Sequence, residues 1–124
     1  MTNILEAIVN IANNPVVEIR NHYTGRNRAN NVGEALEMFV KDAFANTIQE
    51  QDQQIKNTKF NQIFSWLGNQ NHPPDIMIRQ GDAIEVKKTQ SPNSDLALNS
   101  SYPKSNIQSN SNMITQECRT CENW

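Results

Sequence analysis

The chain has 124 residues, a formal net charge of −2 and 36% apolar residues. That length allows one domain with a modest core, and the apolar share is low because Asn, Gln and Ser are abundant. No apolar run approaches the ~20 residues that span a bilayer, and no signal-peptide pattern is present, so a cytoplasmic protein with no membrane partner is expected. The charge argues against a purely electrostatic DNA binder but leaves room for positive charge confined to a cleft.

Asn3-Ile4-Leu5-Glu6 reads as a capping box. Ile4, Leu5, Ile8, Val9 and Ile11 follow at helical spacing, and Asn13-Asn14-Pro15 stops the helix. This is an amphipathic helix for packing, with no chemistry on it. Val16–Ile19 reads as a short extended piece. Asn21–Asn30 is polar and aperiodic, and reads as a surface loop carrying Arg26 and Arg28. The two arginines suit phosphate contacts and the asparagines suit base edges, although an ordinary solvated loop has the same composition. His22 suits a surface or hydrogen-bonded role better than metal ligation.

Asn31-Val32-Gly33-Glu34 is a second capping-box pattern. Leu36, Phe39, Val40, Ala43 and Phe44 then recur as a single apolar stripe. Glu34, Glu37 and Lys41 lie elsewhere on that helix, and Glu34 also suits the positive end of its dipole. Thr47–Lys59 is polar and fits either a solvent-facing helix or a loop. Phe60, Ile63, Phe64 and Leu67 resume helical spacing and predict a short helix ending at Gly68, with Trp66 in the core. Gly68–Pro74 is a breaker cluster, and His72 within it reads as a loop histidine.

Pro74–Lys88 reads as a hairpin. Ile76, Met77 and Ile78 form one apolar run, and Ala83, Ile84 and Val86 form another. Gln80-Gly81-Asp82 is turn chemistry, with Gly81 free to take positive φ. Pairing the strands brings Asp75 beside Glu85 or Lys87. Glu85 and Lys87 are two apart and share a face, while Ile84 and Val86 turn the other way into a core. Two carboxylates and an ammonium at one spot suit metal-assisted phosphodiester hydrolysis. Mg²⁺ prefers carboxylate and phosphate oxygens and keeps several waters, and a lysine offsets developing charge. A solvated Glu/Lys face on an amphipathic hairpin has the same spacing.

Pro74-Asp75 followed by Glu85-Val86-Lys87 resembles the PD-(D/E)xK signature of the restriction-endonuclease-like nucleases. Wider stretches resemble the N-terminal part of the NgoPII-type type II restriction endonucleases: NPVVEIRNHYTGRNRANNVGEALEMFVKDAFA (Asn14–Ala45), FSWLGNQNHPPDIMIR (Phe64–Arg79), IEVKK (Ile84–Lys88) and ALNSSYPKS (Ala97–Ser105). The resemblance runs over nearly the whole chain. It implies an α/β, restriction-endonuclease-like mixed β-sheet flanked by helices, incomplete at the C-terminus. Residues 1–68 are expected to be mainly helical, 74–88 to form the catalytic hairpin and 89–124 to be irregular.

The activity implied is Mg²⁺-dependent hydrolysis of double-stranded DNA at a short palindromic, GGCC-like site. Asp75 and Glu85 would hold the metal, and Lys87 would position or activate the attacking water. An additional acid from the early helix, Glu34 or Glu37, also fits the pattern of such nucleases. The full-length family member would act as a homodimer, with a cognate DNA methyltransferase acting on the same site without being bound. Another nuclease on the same fold, acting in repair or junction resolution, and an inactive DNA-binding or partner-binding remnant are the alternatives.

Thr89–Asn112 is rich in Ser and Asn and has the composition of a disordered segment. The resemblance places Ser101, Tyr102 and Lys104 in the folded enzyme, suited to DNA contacts. Cys118-x-x-Cys121 supplies two of the four ligands that a structural zinc site needs and does not suggest a disulfide scaffold. The chain ends on Glu122-Asn123-Trp124 without a terminating pattern, as expected of a chain cut within a domain.

Overall fold

A computed structural model describes residues 2–23, 32–69, 72–89, 91–95, 110, 112 and 114–122. Five helices and three strands lie among them, in the order α1 (Ile4–Asn13), α2 (Ile19–Tyr23), α3 (Val32–Ala45), α4 (Gln53–Ile63), β1 (Phe64–Trp66), β2 (Ile76–Ile78), β3 (Ala83–Ile84) and α5 (Gln116–Arg119). The sheet has the order β1-β2-β3 and both pairings are antiparallel. The mixed sheet expected from the sequence is therefore antiparallel throughout the described residues. Arg26, Arg28, Ser101, Tyr102 and Lys104 lie outside them, as does Asn31 of the second capping box.

The α3 stripe packs as its periodicity predicts. Phe39, Ala43 and Phe44 are buried, and they meet Ile48, Phe64, Ile76 and Ile78 in the main core. Asn46, at φ 53°, ends the helix in the left-handed conformation that asparagine tolerates. The Thr47 amide then returns to the Asp42 carbonyl at 2.9 Å, the six-to-one bond of a Schellman ending. The late carbonyls of α3 are also used by α1: Thr2 Oγ1 donates to Phe44 O and Asn10 Nδ2 to Ala43 O, both at 2.8 Å.

Asn3 caps α1 as predicted, its side chain accepting the Glu6 amide at 3.0 Å. The apolar stripe of α1 does not serve the packing expected of it. Ile4 and Leu5 are 59% and 70% exposed, Ile8 and Val9 are also exposed, and Ala7 is the buried residue of the helix. The polar contacts of Thr2 and Asn10 set the orientation of α1 on α3, and they turn its small-residue side inward.

Two further expectations are corrected between α1 and the sheet. Ile19 and Asn21–Tyr23 belong to a helical turn, not to an extended piece and a loop. The cause is Tyr23, which is fully buried and donates to Asp42 Oδ2 at 2.7 Å. Thr47 Oγ1 donates to Asp42 Oδ1 at 2.6 Å, and Lys56 Nζ reaches Oδ2 at 2.6 Å. Asp42 is 1% exposed, so this carboxylate joins α2, α3 and α4 inside the protein. Burial and the adjacent Asp42 push the Tyr23 phenol well up, which keeps it a proton donor. His22 is hydrogen-bonded, its Nε2 lying 2.9 Å from Ile48 O.

The polar 47–59 stretch divides into a turn and a helix. Asp52 caps α4 by accepting from the Gln54 and Ile55 amides at 2.8 and 3.3 Å. The helix expected to continue to Gly68 stops at Ile63. Phe64 is extended (φ −103°, ψ 138°) and pairs with Ile78 across the sheet. Its ring still packs edge-on against Phe60, with centroids 5.6 Å apart. Pairing and burial at Phe64 override a helical spacing that the apolar residues alone support.

Removing the Asp42 carboxylate leaves Lys56 buried without its counter-charge. Asp42→Ala is expected to cost about 3–5 kcal/mol in urea unfolding. Lys56→Met, which leaves Asp42 with two hydroxyl donors, is expected to cost less. Equal losses for the two variants would contradict this account of the network.

Candidate active site

The β2–β3 hairpin forms as the apolar runs predict, but its turn is built differently. The residue at positive φ is Gln80 (56°), not Gly81. Gly81 lies close against Ile78, where a Cβ would come within 3.2 Å of the Ile78 side chain. Ile78 N to Asp82 O (3.0 Å) and Gly81 N to Ile78 O (3.0 Å) close the turn. Glu122 Oε1 accepts the Gln80 amide at 3.0 Å from the far end of the chain.

Regular pairing ends at Ile84, earlier than the predicted strand, and Asp75 extends the ladder. Its amide donates to Ile84 O at 3.1 Å, and its Oδ2 accepts the Val86 amide at 2.6 Å. Glu85 and Lys87 share a face, with Lys87 Nζ 2.9 Å from Glu85 Oε1. Ile84 packs on the main core. Val86, expected in that core as well, instead borders a hollow of about 330 Å³ beside Leu36, Glu37 and Lys87.

The backbone ahead of Asp75 is held from three sides. Trp66, partly buried, donates its indole N–H to Pro74 O at 2.9 Å. Gly68 has φ +96°, and a Cβ at that position would lie 2.5 Å from Asp75 O. Lys41 of α3 donates to Leu67 O at 2.9 Å, joining the helix to the same segment. The Pro73–Pro74 peptide is cis, and Pro74 is buried.

Glu37 and Lys41 lie one turn apart on α3 and face this hairpin. The Glu37 carboxyl is raised above its ordinary value first by burial, then by the charges of Asp75, Glu34 and Glu85, against the opposing effect of Lys41. Asp75 is raised by burial and by Glu85, while the Val86 amide, Lys87 and Lys41 lower it. Burial lowers Lys41 despite Glu37 and Asp75. Lys87 is raised, chiefly by its bond to Glu85. Of the two helix acids considered from sequence, Glu37 is coupled to both hairpin carboxylates, whereas Glu34 bears on Glu37. His72 is exposed in the loop.

Three acids and two lysines therefore share this region, with a surplus of one negative charge. Burial and repulsion from neighbouring carboxylates disfavour the ionised forms of Asp75 and Glu37, a penalty that a bound cation relieves. Asp75 Oδ1 and Glu85 Oε2 carry no hydrogen bond among the described residues, so each acid retains an oxygen for a ligand. No group of three or more His, Cys, Asp or Glu side chains is placed to hold a metal ion as a cage among the described residues. Mg²⁺ needs no such cage, because one or two carboxylates plus substrate and water suffice. The donor set fits that ion.

Sequence spacing identified Asp75, Glu85 and Lys87 as neighbours, and it offered Glu37 as one of two acids. It missed the positioning roles of Lys41, Trp66 and Gly68. Lys41 follows Glu37 by one helical turn, which is a usable signal. The close approach of Gly68 to Asp75 has no sequence signature beyond the breaker cluster.

The NgoPII restriction endonuclease family model matches residues 2–124, and the chain belongs to this family. It is 48% identical over 122 residues to the type II restriction enzyme NgoPII of Neisseria gonorrhoeae. The match covers 98% of this chain and 44% of that relative. No solved structure matches the chain. No helix among the described residues is long and apolar enough to cross a membrane.

Two predictions follow from this geometry. Gly68→Ala is expected to destabilise the fold by more than about 1 kcal/mol, because it adds both a clash and an unfavourable φ. Amide chemical shifts in the hairpin should move most at Asp75 and Ile76, and an unperturbed spectrum would contradict the clamp. Because Glu37 is raised in the folded state, its ionisation costs stability above the folded pKa. That cost disappears below the ordinary value of 4.5. Glu37→Gln should raise the urea midpoint at neutral pH, with the gain fading on acidification; a gain independent of pH would contradict this.

Proposed function

We propose that this chain carries the catalytic centre of a type II restriction endonuclease on a restriction-endonuclease-like fold. The proposed reaction is hydrolysis of both strands of double-stranded DNA at a short palindromic site, GGCC-like by kinship, with Mg²⁺. Family membership supports this reading, and the observation that carries it is the convergence of Asp75, Glu85 and Lys87 on one hairpin. A palindromic target calls for a twofold dimer, in which each copy addresses one strand.

Asp75 and Glu85 would hold Mg²⁺. When bound, the ion supplies polarisation of the phosphate and a more acidic water. Asp75 is fixed for this role by the Val86 amide on one oxygen and by the Trp66–Gly68 segment behind its backbone. Lys87 remains protonated beside Glu85. As an ammonium it would position the attacking water and offset negative charge on the phosphate. Glu37 and Lys41 brace the centre from α3, with Lys41 tying the helix to Leu67.

The test is incubation of a mixed-sequence plasmid with the chain and Mg²⁺, beside Asp75→Ala and Lys87→Ala proteins. Cleavage into discrete fragments, at whatever rate this chain supports, is expected to fall at least about 100-fold in both variants. Binding without cleavage under Mg²⁺ would favour a catalytically inactive DNA-binding remnant. Preferential cutting of branched or damaged DNA would favour a repair or junction-resolving nuclease. Discrete fragments that persist in Asp75→Ala would contradict the assigned centre.

A further inference from the structure

A second cluster of ligand-type side chains lies on the other side of the sheet. Met77, in the middle of β2, packs with Ile114 and Cys118 in a separate small core, with Trp66 and Cys121 against it. Both cysteines point at one atom: Cys118 Sγ lies 3.5 Å and Cys121 Sγ 3.3 Å from Met77 Sδ. Cys118 sits in α5 and is fully buried, while Cys121 follows the helix and is half-buried. The turn that brings them together is closed by Cys121 Sγ to Cys118 O at 3.0 Å. Both cysteines are free thiols.

We propose that Cys118, Cys121 and Met77 form a soft-metal site for a single Cu(I) ion. A disulfide would engage two sulfurs and would have no use for a thioether aimed at both. Zinc draws its ligands from Cys, His, Asp and Glu and makes no use of a thioether. Two thiolates and a thioether are the soft donors that select Cu(I). Sulfurs bound at about 2.3 Å around a three-coordinate ion lie about 4 Å apart, so the cluster opens by roughly half an ångström on binding. The half-buried Cys121 gives the ion access, and the apolar packing of Met77 and Ile114 keeps water from the inner side. Each thiol that binds releases its proton to solvent, so one Cu(I) and two thiols give a bis-thiolate complex and two protons, with no change of oxidation state. The site uses none of the carboxylates of the acidic centre, although Met77 lies on the same hairpin.

The test is anaerobic titration of the reduced full chain with Cu(I) in competition with the chelator bicinchoninate, followed by X-ray absorption at the copper edge. One Cu(I) per chain with three sulfur neighbours is expected. Cys121→Ser should weaken binding at least about 100-fold, and Met77→Leu about tenfold with one sulfur neighbour lost. Met77→Leu conserves volume and should keep the urea midpoint of the parent, which separates ligand loss from unfolding. Failure to withdraw Cu(I) from bicinchoninate would overturn the proposal. So would unchanged affinity in Cys121→Ser, or an unchanged sulfur count in Met77→Leu. Stronger binding of Zn²⁺ through the same residues would overturn the assignment to Cu(I).

Discussion

A carboxylate withdrawn from water needs partners for its charge and its lone pairs, and Asp42 finds all of them within the protein. Tyr23, Thr47 and Lys56 supply three donors at 2.6–2.7 Å. The position is otherwise unfavourable, because Asp42 lies in the last turn of α3, where the helix dipole opposes negative charge. The network offsets that cost by joining α2, the turn after α3, and α4. Those elements are short or polar and bury few apolar residues of their own. Their placement therefore rests on a buried polar centre, and α3 is the element to which that centre belongs.

The same helix also braces the acidic hairpin. Its apolar stripe supports the sheet, while Glu37 and Lys41 face the hairpin. Lys41 links α3 to Leu67, Trp66 reaches Pro74, and Gly68 allows the chain to pass against Asp75. Asp75 itself replaces part of the sheet ladder by accepting the Val86 amide. One side chain thus both completes the hairpin and presents a free oxygen at its edge. The pairing of the hairpin and its acidic edge thus meet at Asp75, and the segment before it is closely held.

Much of this was legible in the sequence where the determining interactions are local. The α3 stripe, the Asn3 cap and the apolar runs of the hairpin follow from residue spacing and turn chemistry. The juxtaposition of Asp75 with Glu85 and Lys87 follows from pairing two short strands. What spacing missed depends on distant partners. Tyr23 sits in a polar stretch, and its burial is decided by Asp42, nineteen positions away. Phe64 continues a helical spacing from Phe60 and Ile63, yet its pairing with Ile78 makes it a strand residue. The stripe on α1 correctly predicts a helix but not its contacts, because Thr2 and Asn10 dock it through hydrogen bonds to α3 carbonyls. Gly81 illustrates a narrower error: Gln80, not the glycine, takes the positive φ, and Gly81 lies close against Ile78.

The proposed divalent-cation site is the edge of the hairpin, built on Asp75 and Glu85. The most direct measurement is Mn²⁺ titration of the ¹⁵N-labelled chain, following paramagnetic broadening of amide resonances. The account predicts broadening centred on Asp75, Glu85 and Val86 and extending to Glu37 across the hollow. Excess Mg²⁺ should reverse it, and Asp75→Asn should abolish it. Broadening centred elsewhere, or broadening at the hairpin that survives Asp75→Asn, would contradict it.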